Sequence, residues 1–289
     1  DIRDHDKLYK NMVDFNPDIL IHMAAQPIVR YSYLNPIETY ETNVIGTAKV
    51  FEVAKSCNNL EAIVNITTDK CYENDGRSRG YKEDDSIGGY DPYSSSKSAA
   101  ELVTSAYRRS FFKKQSISLA SVRAGNVIGG GDWANDRLIP DILRSFEISR
   151  PVVIRNPKAT RPWQHVLEPL LGYLILAQKM YDDKNKYAES WNFGPNKTDV
   201  KSVNWIIDKM IKKWPNSSWI HDEDTTQPHE AGFLQLDITK AKSKLGWKPV
   251  WKLDKTLEKI TNWHKAWLND KDMQRICLAE IKEYMTDMK

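Results

Sequence analysis

No apolar run in these 289 residues approaches the roughly eighteen that a bilayer span needs, so no transmembrane helix is expected. Cysteine is scarce. Cys57, Cys71 and Cys277 are odd in number and unpatterned, which argues against a disulfide framework and suits a reducing cytosol. Charge of one sign is also lacking: 42 basic against 39 acidic residues leave a formal +3 spread along the chain. Without a basic block there is no nucleic-acid footprint, and neither a nucleic-acid nor a membrane partner is expected. No metal site, internal repeat or low-complexity linker is read. The chain opens without an initiator Met and without a signal-like apolar segment.

What is present fits a globular α/β protein of one large domain or two smaller ones, with 40% apolar and 28% charged residues. Leu8, Met12 and Phe15 recur at helical spacing over 5–16, and Pro17-Asp18 ends that helix. The nearly unbroken apolar run 19–25 that follows reads as a buried parallel strand. Asn35-Pro36-Ile37-Glu38 predicts a helix start with Asn35 as N-cap and Pro36 at N1, the helix running to about Cys57. Strands are expected at 60–68 and 116–122, with a helix over 91–114 between them. That alternation argues for a doubly wound parallel sheet. A Gly-rich break spans 123–136. Beyond it the patterns predict a helix at 137–148, short strands at 151–154 and 161–166, a helix at 168–181 and a strand at 190–193. A helix at 200–214, a strand at 217–221, helices at 237–245 and 254–269, and a helical tail from Asp270 complete the chain.

One stretch, 65–97, carries the chemistry. The apolar run Ala62-Ile63-Val64-Asn65-Ile66 ends in Thr67, Thr68, Asp69 and Lys70, as a buried strand delivers polar groups at its C-terminal tip. Asp91-Pro92 then opens a helix with Tyr93 and Lys97 on one face of its first turns. A lysine there holds a phenol near its ionised state, which hydride chemistry on a carbinol requires. Of thirteen tyrosines only Tyr93 has a lysine four residues on.

Thr67-Thr68-Asp69-Lys70, Tyr93-x-x-x-Lys97 and Asn43 in the intervening helix resemble the extended short-chain dehydrogenase/reductase family. Within it the chain is most similar to nucleotide-sugar 4,6-dehydratases, and nearest to their CDP-glucose branch. His22-Met23-Ala24-Ala25-Gln26, Asn126 with Gly129-Gly130-Gly131-Asp132-Trp133, Arg161-Pro162-Trp163-Gln164-His165-Val166 and Leu245-Gly246-Trp247-Lys248-Pro249 fall in the family's order. The resemblance implies a Rossmann-like α/β fold with a smaller C-terminal substrate lobe. The dinucleotide domain is expected to take 1–125 and about 160–195, and the lobe about 126–159 and 196–289. It also implies NAD as cofactor. The family's G-x-x-G-x-x-G turn, which seats the pyrophosphate on a helix N-terminus, does not precede Asp1, so the chain is expected to be N-terminally truncated. Asp1 and Ile2 are then expected at the adenine, and Ala24, Ala25, Gln26, Asn43, Tyr93 and Lys97 along the rest of the cofactor.

The implied reaction on CDP-glucose oxidises C4, eliminates water across C5–C6 and returns the hydride to C6, supplying a 4-keto-6-deoxy sugar for deoxysugar synthesis. Tyr93 is the expected base at the C4 hydroxyl, Thr68 a hydrogen-bond partner of its oxygen, and Asp69 the acid for the C6 hydroxyl. Lys70 stands where most relatives carry Glu and is the expected base at C5, the form that favours the CDP branch over the dTDP and GDP branches. A lysine acts as a base only when neutral, which desolvation and neighbouring cations promote. Arg161, Asn126 and Arg137 are expected around the diphosphate and Glu230 at the nucleotide ribose. Trp133 either walls the pocket or packs the lobe, and His165 is equally a core residue or a contact. Asn43 has two readings of even standing, a kink cap or support for the lysine. Gln26 and Arg30 are also candidates to face the sugar, and His22 reads as a packed strand-end residue. In this family the helices near 36–57 and 91–114 form a four-helix homodimer interface. Two other readings remain open: a 4-epimerase, which uses Tyr93 and Lys97 but not Asp69 and Lys70, and a remnant retaining only nucleotide-sugar or subunit contacts.

Overall fold

The computed structural model describes residues 1–77, 79–184, 186–222 and 233–289. Its chain divides into two compact units. The first comprises 1–124, 171–193 and 236–247; the second comprises 125–170, 194–235 and 248–289.

The first unit is built on a four-stranded, all-parallel sheet. Strand β1 (Ile19–His22) lies at one edge, β2 (Ala62–Ile66) and β3 (Ser118–Ala124) are central, and Ser190–Phe193 closes the other edge. Every residue of β3 and four of the five in β2 are buried, as a strand covered on both faces demands. At the edge, Ile19 of β1 is exposed. Ile19 pairs with Ala62 and Ala62 with Ser118, so the strands end in near register and their C-terminal tips lie side by side. Helices His5–Phe15 and Thr47–Ala54 fill one core through Met12, Val50 and Phe51, with Phe112 of the helical segment Arg108–Phe112 and with Ile63 and Leu119. This is the doubly wound α/β class expected.

Several elements depart from the sequence pattern. Strand β1 ends at His22, so Met23, Ala24 and Ala25 leave the sheet. A short helix, Val29–Leu34, precedes Pro36, and Asn35 sits at the junction of two helices. Its side chain reaches back to the Tyr31 carbonyl at 3.5 Å and makes no N-cap bond to the helix it precedes. The expected helix over 36–57 is α-helical only over Pro36–Tyr40 and Thr47–Ala54, with a π-helical segment Glu41–Gly46 between. β3 runs two residues further than the pattern suggests, which makes Arg123 a strand residue rather than the start of the Gly-rich break. Val200–Ser202 forms a strand antiparallel to Thr160–Pro162, and the helix expected from 200 starts at Val203.

The units differ from the expected division at two places. Residues 160–170 belong to the second unit because Gln164–His165 pairs with Val127–Ile128 and Thr160–Pro162 with Val200–Ser202. Residues 236–247 belong to the first: Asp237 donates its N–H to the Tyr81 carbonyl at 2.8 Å, and Trp247 meets the edge of Phe193 at 5.0 Å. Trp191 and Trp247 are fully buried in that core. Among the described residues no helix is long and apolar enough to cross a membrane.

The second unit has its own core, in which Ile139, Ile142, Leu143 and Phe146 of helix Leu138–Glu147 meet Ile206, Ile207, Leu257 and Ile260. Its tail is helical over Met273–Asp287 and is fastened by several carboxylates, of which Glu168 is the buried one. Buried Glu168 accepts the N–H groups of Val250 (2.9 Å) and Trp251 (2.7 Å) and the hydroxyl of Tyr284 (2.7 Å). Glu168→Ala leaves those donors unanswered and is expected to lower stability by about 3 kcal/mol. A fall in the urea midpoint at unchanged slope reads this out; a midpoint equal to that of the parent rejects Glu168 as a fastening group.

Candidate active site

Beyond β2 the chain runs through Thr67 and Thr68 in extended conformation into a single 3₁₀ turn, Asp69–Cys71. Thr68 caps that turn: its Oγ1 accepts the N–H of Lys70 at 3.3 Å and donates to Asp69 Oδ1 at 3.1 Å. Ser98 Oγ donates to the Cys71 carbonyl at 2.8 Å, which pins the turn to the helix Pro92–Tyr107. That helix starts as its sequence dictates. Asp91 accepts both the N–H (2.9 Å) and the hydroxyl (2.6 Å) of Ser94, and Pro92 occupies the first turn. Gly89 comes in at φ +112°, and a Cβ there would stand 2.5 Å from the Ser94 carbonyl carbon, so only glycine fits.

Tyr93 and Lys97 lie on one face of this helix and are both buried. The Tyr93 N–H is taken by Ser32 Oγ at 3.1 Å, a contact supplied by the unanticipated helix Val29–Leu34. Lys97 Nζ donates to the Ile66 carbonyl at the end of β2, at 3.2 Å. Burial pulls its amine down to about 8, while the charge of Glu101 acts the other way. Lys70 Nζ stands 6.0 Å over the Tyr93 ring. The structure therefore brings Thr68, Asp69, Lys70, Tyr93 and Lys97 together at the tip of β2. His22, at the end of β1, is buried against Thr47 Oγ1 (3.1 Å) and held down to about 4 by burial and then by Lys97, so it is neutral at pH 7.

Ala24 is exposed and Ala25 half-buried just beyond the tip of β1, leaving backbone open to a ligand. Asn43 acts through protein groups: its Oδ1 accepts the Gln26 N–H (2.8 Å), and its Nδ2 donates to the Gln26 carbonyl (3.0 Å) and to Ser96 Oγ (2.9 Å). It thereby ties the β1 tip to the Tyr93 helix. The side chain of Gln26 is spent inward, donating to Thr39 Oγ1 (2.8 Å) and accepting the Ile28 N–H (2.5 Å), so it is not offered to a sugar. Asp1 is ion-paired with Arg3 at 2.6 Å, and Ile2 packs on Gly46, where a Cβ would meet it at 2.6 Å.

Two site-supporting residues escaped the sequence reading. Buried Glu101 is bridged by Arg123 through both oxygens, Nε to Oε1 at 3.0 Å and Nη2 to Oε2 at 2.9 Å. The signal was there for Glu101, which continues the four-residue spacing of Tyr93 and Lys97. Arg123 was masked by the glycines after it.

In the second unit, Arg161 is buried and donates Nη1 to the Thr160 carbonyl at 3.0 Å. Arg137 is half exposed and paired with Asp132 at 3.0 Å, and the Asn126 carbonyl accepts the Gln164 N–H at 3.0 Å. Trp133 packs on Trp267 (4.4 Å between ring centres), Trp263 (6.2 Å) and His264 (5.7 Å) and keeps 46% of its surface exposed. Gly130 lies against Trp263 so closely that a Cβ would approach its ring to 2.2 Å. His165 is a core residue, edge-on to Trp251 at 4.9 Å and lowered to about 4 by burial and then Lys259. Glu230 lies outside the described residues.

A family model described as GDP-mannose 4,6-dehydratase matches residues 1–260. The chain is 54% identical to the CDP-glucose 4,6-dehydratase of Salmonella typhimurium, over 99% of this chain and 81% of that one. It is 24% identical to the dTDP-glucose 4,6-dehydratase of Haemophilus influenzae, over 86% of this chain and 77% of that one. Among solved structures, the UDP-glucuronic acid 4-epimerase of Bacillus cereus, in complex with UDP-glucuronic acid and NAD, superposes with a TM-score of 0.79 at 22% identity. That match covers 92% of this chain and 80% of the other. A dTDP-glucose 4,6-dehydratase double mutant of Streptomyces venezuelae with NAD bound gives 0.77 at 20% identity, over 92% and 78%. These structural likenesses establish the fold.

Lys97 makes stability depend on pH in a calculable direction. Its folded value of about 8 lies below the ordinary 10.5, so between the two the unfolded chain binds more protons and stability rises with pH. The penalty is complete below pH 8 and gone above 10.5. Relative to the parent, Lys97→Met should gain up to about 3 kcal/mol more at pH 7 than at pH 10.5. Urea unfolding of both proteins across that range measures the difference; a gap independent of pH refutes the burial of a charged amine.

Proposed function

This chain belongs to the GDP-mannose 4,6-dehydratase family, and from that membership we propose that it converts CDP-D-glucose to CDP-4-dehydro-6-deoxy-D-glucose as an NAD-dependent hydro-lyase. The observation that carries this reading is the 54% identity to a CDP-glucose 4,6-dehydratase along 99% of the chain. The grouping of Asp69 and Lys70 with Tyr93 and Lys97 at one strand tip supports it, because oxidation at C4 alone has no use for the first pair.

The residues fit NAD. The small Ala24 and Ala25 lie open beyond one strand tip, and the Tyr93 phenol and Lys97 amine lie at the next. Asp1 and Ile2 are proposed for the adenine, Ala24 and Ala25 for backbone approach, and Lys97 for the ribose hydroxyls. Asn43 and Gln26, with their amides spent on protein partners, shape that surface. When bound, NAD supplies a hydride acceptor for C4 and a donor for C6, so no external reductant is consumed. Tyr93 takes the proton of the C4 hydroxyl, its phenolate favoured by the adjacent Lys97 ammonium. Thr68 donates to the C4 oxygen once its hydroxyl turns away from Asp69 Oδ1. Lys70, over the Tyr93 ring, removes the C5 proton, which a C4 ketone makes acidic. Asp69, buried at the tip, protonates the departing C6 hydroxyl as water.

In the second unit, Arg161 and Asn126 are proposed for the diphosphate, since a guanidinium fork matches phosphate oxygens. Arg137, proposed there too, has Nη1 paired with Asp132 at 3.0 Å. A homodimer is proposed through the helices near 36–57 and 91–114, whose Ile37, Ile45, Leu102 and Phe111 are exposed apolar residues. Sedimentation should give a dimer that Ile45→Glu with Leu102→Glu converts to monomer. A monomeric parent would rule this interface out.

The function is tested by incubating the enzyme with NAD and CDP-, dTDP- or UDP-glucose in heavy water. The expected product is a 4-keto-6-deoxy sugar from CDP-glucose with deuterium at C5. Lys70→Met should cut C5 exchange by about a hundredfold while leaving C4 oxidation within several-fold. An epimerised sugar that keeps its C6 oxygen would overturn the dehydratase reading, and undiminished exchange in the variant would overturn the role of Lys70.

A further inference from the structure

Behind the strand tip lies a buried polar cluster to which the proposed reaction assigns nothing. The Glu101 carboxylate accepts from four residues on three elements, the most distant being Ser190, whose Oγ lies 3.4 Å from Oε2. Thr67 Oγ1 donates to Oε1 at 2.5 Å, Ser121 Oγ to Oε2 at 2.7 Å, and Arg123 bridges both oxygens. Arg123 also donates Nη1 to the Tyr72 hydroxyl at 2.8 Å and to the Glu83 carbonyl at 3.0 Å. Tyr72 in turn donates to Asn192 Oδ1 at 2.8 Å, on the outer strand Ser190–Phe193. Thr67 and Tyr72 flank the segment 68–71, so both ends of the segment carrying Thr68, Asp69 and Lys70 are bonded to this one pair.

We infer that Glu101 and Arg123 are a positioning pair for the reaction: they fix both ends of the Thr68-Asp69-Lys70 segment and place a permanent negative charge one helical turn beyond Lys97. Lys97 and Glu101 share a helix face at four-residue spacing, so the register is set by the helix itself. A core of this volume is served as well by apolar side chains, which removes packing as a reason for two buried charges. Burial raises the Glu101 carboxyl, but the charge and hydrogen bonds of Arg123, with those of Thr67 and Ser121, outweigh it and leave it below the ordinary range. Glu101 is therefore an anion at pH 7, and its charge draws the Lys97 amine upward against burial. The other groups facing Lys97 are Cys71 on the 69–71 turn, neighboured by Asp69 and Lys70, Tyr93 on the same helix, and His22 on β1.

The inference rests on the dehydratase reading for its kinetic part. Its electrostatic part is independent of substrate and is read by the pH titration of the Lys97 ¹³Cε resonance in lysine-labelled protein. Two variants are compared with the parent. Glu101→Gln with Arg123→Met removes both charges together, so no buried ion is orphaned. Thr67→Val cuts one tether and leaves the charges. In the double variant the Lys97 midpoint should fall by about one pH unit. Its kcat should drop about tenfold with KM within about twofold, since geometry rather than binding is lost. In Thr67→Val the midpoint should hold and kcat should fall about fivefold. A parental midpoint and parental kcat in a folded double variant overturn the inference. Should that variant not fold, parental kcat in Thr67→Val overturns it. A shifted midpoint with no turnover of CDP-glucose in the parent would instead count against the proposed substrate.

Discussion

The first unit depends on a single buried carboxylate. Glu101 sits where the helix Pro92–Tyr107 crosses the central strands, and Thr67, Ser121 and Arg123 all spend donors on it. A parallel sheet delivers its chemistry at the C-terminal ends of its strands, where ladder bonds stop and the chain is free to wander. Here the freed segment does not wander, because its hydroxyl at one end and Arg123 through Tyr72 at the other return to the same anion. Order that the sheet cannot supply beyond Ile66 comes from the helix instead.

Lys97 adds a second constraint of the same kind. An amine buried to 6% exposure is disfavoured in its charged form, and both the Ile66 carbonyl and Glu101 oppose that tendency. The outcome is an amine that is still charged at pH 7 but titrates far closer to it than a lysine in water does.

The elements that obey short-range rules were legible in the sequence. The apolar run into Thr67, the Asp91-Pro92 cap and the Tyr93/Lys97 spacing each depend on residues within a few positions, and each formed as the pattern implied. Features set by partners far along the chain were not legible. Arg123 reads as loop because glycines follow it, yet Glu101 draws it into β3. Asn35 has the chemistry of an N-cap, but a preceding helix claims its amide. Residues 160–170 and 236–247 change unit because of pairings to Val200–Ser202 and Tyr81 that no local pattern encodes. In the second unit, glycines 129–131 read only as a break in the pattern; Gly130 is required by the indole of Trp263.

The π-helical segment Glu41–Gly46 works as a phase shifter. A π turn holds one residue more than an α turn, and one residue corresponds to about 100° of rotation. Before the segment, Tyr40 faces the Tyr93 helix, its hydroxyl 2.6 Å from Ser95 Oγ; after it, Val50 and Phe51 face the core. Asn43 sits at the swelling between and points at Ser96. Deleting a residue here would not merely shorten the helix, since everything downstream would turn by that angle relative to everything upstream. Length variation among related chains should therefore fall in the loops on either side of 36–54 and spare this segment, whatever amino acids occupy it.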